Sequence, residues 1–431
     1  MRREALGVLI ATDSFPPGCG GSGWSTYELA RGLAARGHRV LVVQARPGAA
    51  RGLRTREYEG LRVLEFGSPA SSMPYLRNLL KNEYLTMRLT PVLRRTIADE
   101  RIDLVHAQHV LSAPPAIAAA RRAGVPVVCT VRDYWPVCYW SDLIYDRRVD
   151  TLCPACSAGM MTECIRPRAG HARVLALPMI PYMRANLARK QAALARADAV
   201  VAVSSAIARD LAARSGALAS TRLVTIPNPV DTGAVRRAAE GPAPLSGPYA
   251  VYAGKLAFNK GVRKLLDAAD RAALPWPLVI VGDGPERTAI EHAARFTGRD
   301  IRITGWLPRD EALRWIGHAA VLVFPSHGPE SLSRVLLEAG ALGRPVAAMD
   351  TGGTRDIVVH EQTGLVSRDV EGLAADLARM VLEPDLRRRL GAAAREHTER
   401  TFEADAVVSR IVALYTSVID RRTEPGERRG S

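Results

Sequence analysis

Lysine is scarce in this chain. Of the 59 basic residues among 431, only Lys81, Lys190, Lys255, Lys260 and Lys264 are lysines, and arginine supplies the rest. With alanine also abundant, the arginine excess reads as a coding bias, against which three lysines crowded between 255 and 264 stand out. Cysteine is sparse too: six in so long a chain exclude a disulfide framework and favour a cytoplasmic protein. No run reaches the roughly 18 apolar residues that a spanning helix needs. The opening MRREALGVLIATD is too short in its apolar part, and lacks the small-residue cleavage site, to be a signal peptide. No short repeat period appears, which argues against a solenoid.

What is present is an ordinary globular balance, 47% hydrophobic and 24% charged, with a net charge of +15. The surplus predicts an anionic partner without choosing among nucleic acid, acidic membrane and phosphorylated ligand. Short β-rich runs alternate with longer amphipathic ones, the pattern of parallel sheets flanked by helices. Seven strands are expected in the first half, from GVLIAT (7–12) to LVTIP (223–227). The Gly/Pro-rich stretch 241–248 reads as a linker, and five further strands follow, from YAVYAG (249–254) to RPVAAM (344–349). The expected fold is therefore α/β, with two doubly wound domains and a cleft at the carboxyl ends of their sheets.

Three loops carry candidate chemistry. Gly18-Cys19-Gly20-Gly21-Ser22-Gly23 formally matches G-x-G-x-x-G, but Asp13 to Pro17 separate it from the first strand, and the second strand ends in Gln44-Ala45-Arg46 without an acid. An NADP site is the weaker reading. A tight turn offering backbone amides of Gly20 and Gly21 to an anion is the stronger one, and a purely structural turn the alternative. In the second half, Lys255 and Lys260 lie on a loop between a strand and a helix, where two cations can converge on a diphosphate and stabilise its departure. Surface lysines are the alternative. Glu330 and Glu338 flank the start of a further helix, placed to accept hydrogen bonds from sugar hydroxyls and from a ribose. A solvated helix face is the competing reading.

Together, Lys255 with Lys260, Glu330 with Glu338, the Gly20-Gly21 turn, Gly37-His38-Arg39-Val40, Asn228-Pro229-Val230-Asp231, Gly282-Asp283-Gly284-Pro285, Gly305-Trp306-Leu307 and Gly352-Gly353-Thr354 resemble the family-four retaining glycosyltransferases. The resemblance runs from about residue 7 to about 400 and implies the GT-B fold, two Rossmann-like domains facing each other across a cleft. It implies an acceptor-binding domain over 1–240 with a cysteine-containing insert at about 134–170. A nucleotide-sugar domain over 241–401, a helix over 402–420 crossing back to the first domain and a disordered tail over 421–431 follow. It assigns Lys255, Lys260 and Glu330 to catalysis and Glu338 to the ribose. Gly305, Trp306 and Leu307 are assigned to the base, and the Leu332 and Ser333 amides to the phosphates. The activity implied is transfer of a hexosyl group, with retention, from a nucleotide-sugar to a glycan, a lipid-linked intermediate or a specialised metabolite. No cofactor is required beyond that co-substrate. A non-catalytic sugar-nucleotide-binding protein, or a GT-B-like epimerase or hydrolase of nucleotide-sugars, would use the same pocket.

The chain departs from the family at two places. Where relatives carry Arg, Lys255 keeps the charge and loses the bidentate fork. Where many place a His, this chain has Arg132 followed by Asp133. Arginine is no general base near neutral pH, which assigns Arg132 to an acidic acceptor or the donor diphosphate. His106 and His109 are acceptor-side candidates by position. Tyr134, Trp135, Tyr139 and Trp140 could stack on sugars or pack on a domain. Cys138, Cys153, Cys156 and Cys164 could close a structural zinc site, with free thiols or a redox pair as the alternative. Segments 76–95 and 166–190 mix basic and apolar residues, as a peripheral contact with an acidic inner-membrane surface requires, and as an ordinary packed helix also does. No nucleic-acid module is present.

Overall fold

A computed structural model describes residues 5–146, 152–170 and 173–423. The chain divides into two compact units. One holds the chain to Asp146, Cys153–Pro229 and the chain from Val407, and the other runs Val230–Ala406. The division thus precedes the stretch 241–248, which lies inside the second unit. Among the described residues no helix is long and apolar enough to cross a membrane.

The first unit is built on β1 (Gly7–Thr12), β2 (Arg39–Pro47), β3 (Gly52–Tyr58), β4 (Leu61–Ser68), β5 (Leu104–Ala107), β6 (Val127–Val131), β7 (Ala199–Ala202) and β8 (Leu223–Thr225). They form one sheet in the order β3-β4-β2-β1-β5-β6-β7-β8. All neighbours are parallel except β3, which pairs antiparallel with β4 from Gly52 opposite Gly67 to Tyr58 opposite Leu61. Strand β1 is buried along its whole length, as a central parallel strand covered on both faces must be. Strand β3, GLRTREY, is largely exposed and was not among the expected strands: a polar, arginine-rich edge carries no apolar alternation to betray it.

Val8, Ile10, Val42, Leu104 and Val201 of the sheet pack with Leu29 and Leu33 of helix Gly21–Ala34 and with Val407, Val408, Ile411, Leu414, Tyr415 and Val418 of the last helix. That helix runs Ala404–Thr423, so it starts after, and ends beyond, the expected 402–420. The expected tail at 421–431 is helical to Thr423, and 424–431 lie outside the described residues. A bidentate pair from Arg422 to Asp198 (2.9 and 2.9 Å) and bonds from Arg410 to the Thr225 carbonyl (2.7 Å) and from Arg222 to Ser417 Oγ (3.0 Å) fasten it. The insert around 134–170, of which 147–151 lie outside the described residues, forms its own small core. There Met161, Ile165, Met179, Met183 and Leu187 meet Tyr139 and Trp140.

The second unit contains β9 (Ala250–Ala253), β10 (Leu278–Val281), β11 (Ile301–Gly305), β12 (Val321–Phe324), β13 (Val346–Met349) and β14 (Leu365–Ser367). They pair in parallel in the order β11-β10-β9-β12-β13-β14. Both sheets reverse their strand order beside one strand, between β1 and β5 in the first and between β9 and β12 in the second. Ligands of such sheets sit outside the carboxyl ends at that reversal. The residues following β1, β5, β9 and β12 are therefore where a site is built.

Candidate active site

In the second unit the loop after β9 runs from Gly254 through a short helical turn at Phe258–Lys260 to helix Val262–Arg271. Gly261 joins turn to helix with φ +68°, and a Cβ there would lie 1.8 Å from the Pro325 carbonyl oxygen. Only glycine allows the β9 loop to rest on the end of β12. The contact is continued by the amides of His327 and Gly328, which donate to the Asn259 carbonyl at 3.3 and 2.9 Å.

That closeness brings Lys260 to Glu330. Lys260 Nζ lies 2.5 Å from Glu330 Oε1, which also accepts from Ser326 Oγ at 2.6 Å. Ser326 and the Glu330 side chain are nearly buried, whereas Lys260 is about one-third exposed. Behind them Gly352, at φ +50°, comes so near that a Cβ would stand 1.9 Å from the Glu330 carbonyl oxygen. The Gly353 amide donates to that oxygen at 2.8 Å, so the glycine pair fixes the backbone of Glu330. Lys255 shares the β9 loop and is exposed, with its own carbonyl held by Tyr252 Oη at 2.9 Å. The structure joins Lys260 to Glu330 and leaves Lys255 bound to neither.

Glu338 lies in helix Arg334–Ala341, where Oε1 receives Arg309 Nη2 at 3.1 Å and Arg334 Nε at 3.2 Å. Ser333 stands at the start of this helix without a side-chain cap bond, and Leu332 before it is buried. The first-turn amides thus form a positive helix end. Gly305 closes β11 at φ +75°, followed by a 72% exposed Trp306 and a half-buried Leu307. Ser326, Arg309 and Arg334 belong to this arrangement and escaped sequence reasoning. The spacing of Arg334 and Glu338, four apart on one helix, was a usable signal, while Arg309 had none.

In the first unit, the carboxyl edge is a buried polar cluster. Asp13 accepts from the amides of Leu111 (2.7 Å) and Ser112 (2.8 Å). Burial still raises its carboxyl to about 6, and burial likewise raises Asp133 to about 6, against its bond from the Trp135 amide. Arg132 is 8% exposed. Its Nε donates to Asn228 Oδ1 at 2.8 Å and its Nη1 to Gln108 Oε1, tying the ends of β5, β6 and the loop after β8 together. His109 Nδ1 meets Thr12 Oγ1 at 2.8 Å, while its buried Nε2 has no partner among the described residues. Burial, with the nearby Arg132 charge, lowers both His106 and His109 to about 3, so each ring is neutral.

One expectation needs correction here, and two open readings are narrowed. His106 does not line a cleft: it is fully buried, its Nδ1 meeting Tyr415 Oη at 2.6 Å and its Nε2 meeting Thr130 Oγ1 at 2.7 Å. Tyr134 and Trp135 are buried, and Tyr139 and Trp140 stand edge to face in the insert's own core, so this loop offers no sugar platform. The four cysteines are free thiols within electrostatic reach of one another. Among the described residues no three His, Cys, Asp or Glu side chains are gathered to hold a metal. Cys138 and Cys156 share a thiol–thiol hydrogen bond, which pulls Cys138 down to about 6 and pushes Cys156 up. The Cys153 thiol donates to the Ala155 carbonyl at 3.3 Å, and burial raises Cys164 to about 12. The expected anion turn at Gly20 and Gly21 opens helix Gly21–Ala34, and nothing stands within 4 Å of a Cβ built on Gly20.

Comparison with known proteins agrees with this layout. The family model "Glycosyltransferase Family 4" matches residues 19–234 and the model "Glycosyl transferases group 1" matches residues 247–383. A glycogen synthase of Mycobacterium tuberculosis is 26% identical over 98% of this chain and 97% of its own length. A D-inositol 3-phosphate glycosyltransferase of Xylanimonas cellulosilytica is 27% identical over 94% of both chains. Among solved structures, sucrose-phosphate synthase from Thermosynechococcus elongatus superposes with a TM-score of 0.71 at 20% identity, over 96% of this chain and 100% of that one. Anabaena HepE in complex with UDP-glucose gives 0.64 at 16% identity, over 96% and 100%. The two Rossmann-like sheets are those of the GT-B glycosyltransferases, and the chain is a member of glycosyltransferase family 4.

Proposed function

We propose that this protein transfers a hexosyl group, with retention at the anomeric carbon, from a nucleotide-sugar bound at the carboxyl edge of the second sheet. The observation that carries the reading is the pairing of Lys260 with Glu330 across the strand-order reversal, beside the open end of helix Arg334–Ala341. A diphosphate seated there meets the Lys260 ammonium, the exposed Lys255 and the amides at Leu332 and Ser333. Negative charge that grows on the departing phosphate is met by groups already in position. Glu330 Oε1 holds Lys260 and Ser326, and we assign Oε2 to a hydroxyl of the donor sugar. Glu338, oriented by Arg309 and Arg334, takes the ribose hydroxyls, and exposed Trp306 offers a face to the base.

As the bond from the anomeric carbon to the phosphate oxygen breaks, the acceptor oxygen bonds to that carbon from the same side. The acceptor hydroxyl proton passes to the departing phosphate oxygen. Such a step needs no protein base.

Titration calorimetry of UDP, GDP, ADP and dTDP against the wild type and Glu338→Ala tests the donor site. One nucleotide should bind, and loss of two charge-assisted ribose bonds should weaken it by about tenfold or more. Absence of binding by all four, or an undiminished affinity in Glu338→Ala, removes the assignment. Proton NMR of the first-formed product then reads the anomeric configuration.

A further inference from the structure

The first unit carries a half-open pocket of about 390 Å³, within the range of roughly 300–1,000 Å³ that ligand pockets occupy. Met87, Val110, Leu111, Ala118 and Ala193 give it an apolar wall. The wall adjoins the carboxyl edge of the sheet, since the Leu111 amide is one of the two that donate to Asp13.

Two buried polar side chains interrupt that wall. Asn186 lines the cavity, is 3% exposed, and has no hydrogen-bond partner at Oδ1 among the described residues. A buried acceptor without a donor is uncommon and asks for one. Lys190, one helical turn further on, is 9% exposed and holds its ammonium 5.8 Å from the Tyr139 ring. Lys81 and Arg189 complete a basic rim, and the rim's one acid, Glu83, is engaged by Arg189 at 2.5 Å and by Tyr182 Oη at 2.8 Å. At the mouth Met87 is largely exposed. Upstream on the same helical run Leu76 and Leu79 are exposed as well. An apolar chamber with a cationic rim and one unmet acceptor matches an anionic amphiphile that keeps one O–H donor.

We propose that this cavity binds the lipid-phosphate part of the acceptor. A hydrocarbon chain lies along Met87, Leu111, Ala118 and Ala193, the ionised oxygen of a singly protonated phosphate monoester meets Lys190 and Lys81, and its remaining O–H donates to Asn186 Oδ1. The identification of this ligand as the acceptor rests on the transferase reading above; the binding site itself does not.

The test is titration calorimetry of the full chain with octyl, decyl, dodecyl and tetradecyl phosphate, each below its micelle concentration, with UDP titrated into the same preparations. Binding should be saturable at one per chain. It should tighten about fourfold per methylene while the cavity fills, and then level off. Inorganic phosphate and dodecyltrimethylammonium should bind at least about tenfold more weakly. Ala118→Trp, which fills the chamber, should weaken dodecyl phosphate by about tenfold or more and leave UDP affinity unchanged. Asn186→Leu and Lys190→Met should each weaken it several-fold, and they decide the matter if Ala118→Trp does not fold. No saturable binding, or binding that keeps rising with chain length and ignores all three substitutions, overturns the proposal. Absence of binding by UDP, GDP, ADP and dTDP alike in the wild type strikes the donor reading alone.

Discussion

At the carboxyl edge of the first sheet four titratable groups pull stability in opposite directions. Asp13 and Asp133 are raised from 3.8 to about 6, so between those values the folded chain holds more protons than the unfolded one. Their contribution to stability is therefore greatest at low pH and is lost as pH climbs through 6. His106 and His109, lowered from 6.5 to about 3, act the other way, since the unfolded chain takes up protons that the folded one refuses. Asp13→Asn should gain stability relative to the wild type on going from pH 4 to pH 6, by about 2 kcal/mol. Urea unfolding at both pH values gives that difference, and a change of the opposite sign contradicts the assignment. Lys260 is the residue whose loss should be felt in chemistry. Lys260→Ala should lower kcat by about 10²–10³ with a smaller change in KM, measured by turnover of the nucleotide-sugar that binds. Lys260 and Glu330 could be picked out in the sequence because they border strand ends, where α/β sheets bind ligands. The burial of His106 could not, because a histidine that ends inside a core on Tyr415 and Thr130 leaves no mark in its neighbours.

Among the elements, glycines decide how closely the loops of the second sheet approach each other. Gly261→Ala forces an L-residue to φ +68° and drives a methyl into the Pro325 carbonyl, so unfolding should become easier by about 2–4 kcal/mol. The same substitution should weaken nucleotide binding, because it parts the loop bearing Lys260 from the strand end before Glu330. Chemical denaturation and calorimetry on one variant check both effects. The buried parallel strands were legible for the same reason that they are stable: Val-, Ile- and Leu-rich runs of about six residues have no other place to go. Strand β3 was not legible, since its partner β4 and not its own pattern makes it a strand. Neither was the five-residue π turn at Leu80–Tyr84, which inserts itself between two ordinary helical stretches beside the cavity.

On the scale of the molecule, the last helix is the part on which the first unit most depends. Val407, Val408, Ile411, Leu414, Tyr415 and Val418 are each at most 5% exposed. Burial of six such side chains contributes roughly 9–18 kcal/mol, comparable with the roughly 5–15 kcal/mol by which a whole domain is stable. A chain ended at Glu403 should therefore lose the cooperative unfolding of the first unit and expose its sheet. Near-ultraviolet circular dichroism and hydrogen exchange over β1 and β5 would show this, and a truncated chain with native protection there refutes it. The helix was visible as an amphipathic stretch, but its destination followed from family resemblance, because an apolar stripe states that something is covered and not what. The same helix sets an order of events during synthesis. Apart from a short stretch at 147–152, the second unit is one run of the chain, Val230–Ala406, so it can close as soon as that run leaves the ribosome. The first unit, although begun earlier, stays an unfinished sheet with an uncovered face until the final twenty residues of the helix arrive. The half that starts first is finished last, and any ribosome stall, nonsense codon or C-terminal protease cut leaves it open while its neighbour is already folded.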